Sequence, residues 1–452
     1  MKKKIKKILI ANRGEIALRI IRSCRENDIK TVLVVSDVDK EGVLTQFADE
    51  TVCIGPAEPQ KSYLNMFAIA EVAIDKMVDA VHPGYGFLAE NSSFAKIISE
   101  LGIIFIGPSA KIMKAAANKA FMIKTVKEAG VPVIPGSGKT VENSDEAKKI
   151  ADEIGYPIML KSAYGGGGRG MRVVNNGSNI GEIFNAAGSE SMASFGKADL
   201  YLEKFIEHPR HIEVQIISDK YGKTVTLGER DCSLQQRHQK LIEESPAPGI
   251  SDENRKSLYK MAKMVAQAIN YESAGTVEFL YDGNNFYFIE INTRIQVEHP
   301  VTELLTGIDI VEEQIKVAEG KSLQINQSDV RFPYHVIEAR INAEDPVNFT
   351  PSAGLITKLF LPGGPGVRID TAIGSGSDIS PYYDSLIAKL IVRHTDRKHA
   401  VKRLKRCLSE FIVEGIKTSI PFYSSLIETK EFKQSKYDTN FIDNLIYNRK
   451  NQ

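Results

Sequence analysis

Hydrophobic and polar positions follow two periods along this chain. Residues 7–11, Lys-Ile-Leu-Ile-Ala, form a short apolar run that reads as a buried strand. Over 14–27 the period lengthens to that of a helix. Ile16, Ala17, Ile20, Ile21 and Cys24 share one face, and Glu15, Arg19, Arg22 and Glu26 share the other. Strand patterns recur at 31–35, at Ala80-Val81 and at 103–106 with helical patterns between them, which predicts a parallel sheet of doubly wound type. The first turn, Ala11-Asn12-Arg13-Gly14, lacks the glycine fingerprint of a dinucleotide site. A helix predicted over 111–130 leads to Val131-Pro-Val-Ile-Pro135 and a small α+β stretch ending near Ile206. Antiparallel strand patterns dominate from 212 to 298. The rest, from about Pro333, mixes strands, the Pro/Gly turn 362–366 and a helix over 397–411.

Composition narrows the setting. The 452 residues carry 58 Lys+Arg against 57 Asp+Glu, a net charge of +1, so no global positive field recruits nucleic acid. At ~100–200 residues per domain the length predicts two to four domains. The four cysteines, Cys24, Cys53, Cys232 and Cys407, form no CxxC pair, which fits a reducing, cytoplasmic setting rather than a disulfide or zinc framework. The lysine-led N-terminus has too short an apolar run and no cleavage site for a signal peptide. No segment approaches the ~18 apolar residues of a membrane span.

Two glycine motifs differ in weight. Gly136-Ser-Gly-Lys-Thr140 resembles the end of a phosphate loop, but Val133 stands where that loop needs glycine, and flanking prolines mark a surface turn. The run at 165–170, Gly-Gly-Gly-Gly-Arg-Gly, sits between the strand patterns Ile158-Met-Leu-Lys161 and Met171-Arg-Val-Val174. Strand, glycines, strand is a hairpin. Without Cβ atoms, Gly165, Gly166, Gly167 and Gly168 let backbone N–H groups approach phosphates, with Lys161 adding a point charge.

The densest chemistry lies between residues 276 and 300. In extended chain Glu290, Asn292, Arg294, Gln296 and Glu298 line one side. A three-residue loop at 283–285 would set Glu278 opposite Glu290. Two facing carboxylates plus the Asn292 amide oxygen make an all-oxygen set for Mg²⁺ or Mn²⁺ shared with phosphates. His211, on the alternating Arg210–Gln215 segment, and the donor run from Cys232 through Gln235, His238 and Lys240 add further charge. Cys232 reads as a packed small residue rather than a nucleophile.

These residues fall in ordered motifs: ANRGEIALR, HPGYGFLAEN, KSAYGGGGRGMR, ERDCSLQQRHQKLIEESPAPG, FIEINTRIQVEHPVTE and EARINAEDP. Together they resemble biotin carboxylase, the ATP-grasp component of acetyl-CoA carboxylase and related biotin-dependent carboxylases, over nearly the whole chain. The resemblance implies a Rossmann-like N-terminal domain (1–113), an ATP-grasp domain (114–325) with a mobile glycine-rich lid near 132–204, and a mixed α+β C-terminal domain (326–452). It implies an ATP-dependent carbon–nitrogen ligase that carboxylates biotin with bicarbonate in fatty acid biosynthesis. Lys119, Lys161, Glu203, Lys204, Ile206, His211, Gln235 and His238 would bind ATP, and the glycine hairpin would close over it. Glu278, Glu290 and Asn292 would hold two Mg²⁺ or Mn²⁺ ions. Lys240, Arg294, Gln296, Val297 (through its backbone) and Glu298 would bind bicarbonate, with Glu298 as base. Arg340 would sit beside the biotin ring, with Tyr85 near that pocket. Lys240, Arg294, Glu298 and Arg340 would be the catalytic set.

The biotin-acceptor Met-Lys-Met hairpin has no match. Lys260-Met-Ala-Lys263-Met264 and Ile112-Met-Lys114 lie in helical patterns. Biotin is therefore expected on a separate carrier protein, with carboxyltransferase subunits as further partners. The Arg19, Arg22 and Glu26 face and the 362–366 turn belong to the family's dimer surface, so a homodimer is expected. Pro365 replaces an aromatic residue common in that turn. Three readings stay open beside this one. They are the same half-reaction within a pyruvate or other acyl-CoA carboxylase, another ATP-grasp ligase such as a carbamoyl phosphate synthetase half, and a non-catalytic ATP-binding subunit.

Overall fold

The computed structural model describes residues 4–162, 171–195, 198–237 and 239–450. The N-terminal part builds a five-stranded parallel sheet in the order Glu50–Cys53, Lys30–Val35, Lys7–Ile10, Ala80–His82, Ile104–Phe105. Ile8, Leu9 and Ile10 are fully buried, as expected of a strand covered by helices on both faces. The edge strand Glu50–Cys53 escapes the hydrophobic pattern. It is four residues long and alternates half-buried with exposed positions, so it carries no apolar run. In the first turn, the Asn12 amide donates to the carbonyls of Pro83 and Tyr85 at 2.7 Å each, filling the crossover with a side chain.

Two helical expectations need correction. The helix Gly14–Glu26 buries Glu15 and Arg19 on its supposedly solvated face, while Arg22 and Glu26 remain exposed. C-terminal elements cover that side, and Arg19 is neutralised by Glu303 (2.8 Å) and Asp309 (2.7 Å). Periodicity of hydrophobicity cannot register charges that are buried because they are paired. The helix predicted over 111–130 is two helices, Ala110–Ala117 and Lys119–Glu128. Asn118 breaks them, its side-chain oxygen accepting the Phe121 N–H at 3.0 Å as an N-cap.

A small three-stranded sheet (Met171–Val174, Ile158–Ser162, Leu200–Lys204) packs the helices Ser144–Ile154 and Ile180–Phe195 around its own core. Ile158 pairs with Val174 and Lys161 with Met171, so the two strands bracketing the glycine run pair antiparallel. The largest sheet has eight antiparallel strands. In spatial order they are Phe286–Asn292, Ser273–Tyr281, Arg210–Ser218, Thr224–Gln236, Gln239–Ser245, His335–Asn342, Leu386–His394 and Val367–Thr371. It is hydrogen-bonded across the segment around 325, since Ile242 pairs with Ala339 and Ser245 with Val336. Helix Asp252–Ala268 covers one part of it and Arg397–Glu410 another, each over a separate apolar core. This sheet carries the chemistry.

Candidate active site

The hairpin carrying the facing carboxylates reaches the expected pairing by a different route. Its tip has four residues, Asp282 to Asn285, because Tyr281 pairs with Phe286. Asp282 Oδ1 accepts the Asn284 and Asn285 N–H groups at 2.8 and 2.7 Å, which fixes this longer turn. Phe279 then pairs with Phe288, but a bulge shifts the register so that Glu278 faces Glu290. The comb beyond is not one extended strand. The strand ends at Asn292, and Glu298 sits in a turn just before helix His299–Thr306. Glu90 turns the chain aside: its Oε1 accepts the Thr293 N–H at 3.1 Å and its Oε2 the Arg294 Nε–H at 3.0 Å. Past this point the chain folds back, so that Glu298 reaches Lys240 while Arg294 stays on Glu90 and Asn292.

Lys240 gathers three carboxylates. Its ammonium lies 2.5 Å from Glu213 Oε2, 3.0 Å from Glu278 Oε1 and 2.7 Å from Glu298 Oε1. Burial opposes the charge on Lys240, but Glu213, Glu278 and Glu298 outweigh it and hold the ammonium well above its ordinary range. Glu298 is 1% exposed and accepts Arg340 on its other oxygen at 2.9 Å. Burial pushes its carboxyl up, yet Lys240, Arg340 and Arg230 hold it well below the usual carboxylate range. Glu298 is thus held as an ionised carboxylate between Lys240 and Arg340.

Behind this cluster lies Arg230, 0% exposed and satisfied throughout. It donates to Glu213 (2.5 Å), Gln215 (2.9 Å), Thr302 (2.8 Å), Thr276 (3.2 Å) and Gln296 (2.7 Å). Gln296 in turn donates to Glu278 Oε1 at 2.9 Å. Arg230 therefore orients a carboxylate and an amide of the site without facing solvent.

Glu278 accepts Asn292 Nδ2 at 2.8 Å, and its Oε2 lies 3.0 Å from His211 Nε2. Burial raises it, but Lys240 and His211 bring it well below the ordinary range. Burial disfavours charge on His211 too, and Glu278 more than compensates, so its imidazole is raised. Glu290, opposite Glu278, is pushed up by burial and then by the charge on Glu278. A cation placed between them would relieve that repulsion. Two carboxylates and the Asn292 oxygen, which accepts Arg294 at 3.2 Å, fit a hard divalent ion that prefers oxygen ligands.

The nucleotide residues gather less tightly. Lys119 starts its helix, and its ammonium stands 3.9 Å from Glu290. Lys161 is paired with Glu203 on the neighbouring strand, so two of these residues already hold each other. Lys204 donates to the carbonyls of Gly155 (3.0 Å) and Tyr156 (2.7 Å). Ile206 follows that strand half-buried, and Gln235 pairs with Lys240 in the ladder. Gly165, Gly166, Gly167, Gly168 and His238 lie outside the described residues. Cys232 is fully buried, its thiol pushed far up by burial and then by Glu213, as suits a packing residue.

On the other flank Arg340 donates to Glu243 Oε1 at 2.7 Å as well as to Glu298, and the Tyr85 hydroxyl donates to Glu15. Burial, opposed by Arg340 but reinforced by Glu298, pushes the Glu243 carboxyl up to about 7. Its second oxygen has no hydrogen-bond partner among the described residues. The folded chain so keeps a proton that the unfolded chain has released. Stability from this carboxyl is full below the ordinary value of 4.5 and is lost as pH rises through about 7. The span corresponds to about 3 kcal/mol. Glu243→Gln should therefore flatten the fall in the urea unfolding midpoint between pH 5 and pH 8. An unchanged slope would place that titration elsewhere.

Sequence reasoning assigned no role to Glu90, Glu213, Arg230, Glu243 or Lys389. Two of them left a signal. Glu213 shares strand parity with His211, and Lys389 interrupts the apolar run Leu-Ile-Ala-Lys-Leu-Ile-Val.

Family models match almost the whole chain. The N-terminal domain of biotin carboxylase matches residues 4–113, the ATP-binding domain of the carbamoyl-phosphate synthase L chain 118–326, and the C-terminal domain of biotin carboxylase 338–444. Biotin carboxylase 1 of Bacillus subtilis is 50% identical over 97% of this chain and 98% of its own. A pyruvate carboxylase subunit from Methanothermobacter thermautotrophicus is 48% identical over 97% of this chain and 89% of its own. Among solved structures, the biotin carboxylase domain dimer of Hydrogenobacter thermophilus 2-oxoglutarate carboxylase, in complex with MgADP, ADP and bicarbonate, superposes with a TM-score of 0.89. It is 46% identical and covers 98% of both chains. The sheet that gathers Lys240, Glu278, Glu298 and Arg340 is thus that of a known ligase, and the chain belongs to the biotin carboxylase family, whose members catalyse ATP-dependent carboxylation of biotin.

Proposed function

We propose that this chain performs the first half-reaction of acetyl-CoA carboxylase, carboxylating biotin on a separate carrier protein with bicarbonate and ATP. The observation that carries the chemistry is Glu298, whose buried carboxylate holds Lys240 with one oxygen and Arg340 with the other. Bicarbonate is a poor nucleophile. Lys240, Arg294, Gln296 and the Val297 backbone would hold it while Glu298 takes its proton. The freed oxygen attacks the γ-phosphorus of ATP, the bond to ADP breaks, and carboxyphosphate forms. Glu278, Glu290 and Asn292 would hold two Mg²⁺ or Mn²⁺ ions, which supply charge neutralisation for the phosphates.

Carboxyphosphate then breaks into CO₂ and phosphate. The phosphate takes the N1′ proton of biotin, and N1′ attacks CO₂ while Arg340 steadies the negative ureido oxygen, with Tyr85 at the edge of that pocket. Lys119, Lys161, Glu203, Lys204, Ile206, His211, Gln235 and His238 would hold the nucleotide under the glycine hairpin. We assign an N-terminal domain to 1–113, an ATP-grasp domain to 114–325 and a C-terminal domain to 326–452. Among the described residues no helix is long and apolar enough to cross a membrane, and the cytoplasm is the proposed location. A homodimer is proposed from the dimeric Hydrogenobacter relative.

The identity with the Methanothermobacter pyruvate carboxylase chain favours a second reading, in which the same half-reaction serves a pyruvate or other acyl-CoA carboxylase. ATP turnover with Mg²⁺ and bicarbonate, with and without free biotin, tests the half-reaction. Stimulation by biotin is expected. Stimulation by another acceptor instead would refute it. Adding carrier and transferase and following label into acetyl-CoA or pyruvate separates the two parent enzymes.

A further inference from the structure

Lys389 lies in the middle of strand Leu386–His394, amid apolar neighbours, and is 0% exposed. A lysine so placed forfeits its hydration and persists only where its ammonium is fully engaged. Here it reaches three parts of the molecule. It donates to the Val297 carbonyl at 2.8 Å, lies 2.9 Å from Glu15 Oε2 on helix Gly14–Glu26, and stands 4.0 Å from Asp370 on the neighbouring strand. Asp370 has its own partner, Arg368, at 2.6 Å. The far oxygen of Glu15 accepts the Tyr85 hydroxyl, and the Lys389 ammonium sits 6.0 Å from the Tyr85 ring centroid.

The ladder register adds the decisive relation. Lys389 pairs with Arg340, so the two cations stand side by side on one face of the sheet. They grip consecutive residues of the segment folded over that face: Lys389 takes the carbonyl of Val297, and Arg340 takes the carboxylate of Glu298. The Val297 carbonyl belongs to the planar peptide that leads into Glu298. Pinning it fixes where the Glu298 side chain departs and how the Val297 backbone is presented.

We propose that Lys389 is a positioning residue for the bicarbonate step, holding the Val297–Glu298 peptide in register with Arg340 and, through Glu15, tying it to Tyr85. This rests on the assignment of that peptide to the bicarbonate site.

K389M would strand Glu15 in the interior, so the main test is the double variant K389M/E15M. It removes the Lys389–Glu15 pair as a unit, and Asp370 keeps Arg368. Bicarbonate-dependent ATP turnover is measured without biotin, with circular dichroism as the check on folding. The expected result is a rise of about tenfold or more in KM for bicarbonate, or an equal loss in kcat, with KM for ATP within about twofold. K389Q/E15Q, which offers an amide donor to the carbonyl and strands no charge at position 15, should recover part of the loss. E15Q, which weakens the hold on the Lys389 ammonium but leaves the Val297 contact in place, should raise the bicarbonate KM less than the double variant does.

A folded double variant with unchanged bicarbonate kinetics would overturn the proposal. So would equal losses toward ATP and bicarbonate, or a double variant that fails to fold, since either outcome makes the contacts merely structural. R294A is the control. If it raises the bicarbonate KM while K389M/E15M does not, only the role of Lys389 fails. If neither moves it, the bicarbonate assignment itself is wrong.

Discussion

Glu298→Gln should lower bicarbonate-dependent turnover by about 10²–10⁴-fold, the range typical of a lost general base. The amide keeps the shape of the side chain but cannot take a proton, and its –NH₂ must point at either Lys240 or Arg340, both of them donors. ATP contacts none of these atoms in the proposed site, so its affinity should change by less than about threefold. Isothermal titration with a non-hydrolysable ATP analogue, beside steady-state kinetics, separates the two. Loss of nucleotide affinity matching the loss of rate would remove Glu298 from the bicarbonate step.

Lys240→Met should be the most damaging single change for the fold around the site. Lys240 is the shared partner of Glu213, Glu278 and Glu298, all three of them buried. Removing one side of a buried ion cluster costs about 3–5 kcal/mol, because the remaining charges lose their compensation without regaining water. Arg230 and Arg340 still hold Glu213 and Glu298, which limits the damage. Without Lys240 the carboxyls shift upward and hold protons in the folded state that the unfolded chain releases. The penalty should therefore grow as pH rises from 5 to 8. Urea unfolding of the variant and the parent at both pH values measures it. A penalty independent of pH would mean that packing, not charge, is what Lys240 supplies.

Much of the fold was legible because its signals are local. The apolar run at Ile8–Ile10, the paired strands around the glycines and the polar parity around Glu290 each announce themselves within a few residues. What was illegible depends on partners far away in sequence. Glu15 and Arg19 look solvated on a helical wheel and are buried by Lys389 and Glu303, hundreds of residues downstream. Asn118 reads as one polar position inside a helix until its capping bond appears. The Glu278–Glu290 pairing was anticipated with a three-residue turn, yet it arises from a four-residue turn plus a bulge. The residue types were legible as a carboxylate-rich site. The second layer that orients them, Glu90, Arg230 and Lys389, was not, because each acts across strands whose register only the folded sheet defines.

The central claim is that bicarbonate, held at Lys240, Arg294 and Glu298, attacks the γ-phosphorus of ATP through its own oxygen. Turnover with ¹⁸O-labelled bicarbonate in unlabelled water tests this most directly, with the released phosphate analysed by mass spectrometry or ³¹P NMR. The mechanism predicts one labelled oxygen in each phosphate, carried over when carboxyphosphate breaks down. Phosphate free of label would show that water, not bicarbonate, attacks ATP, and would contradict the roles given to Glu298, Lys240 and Arg294.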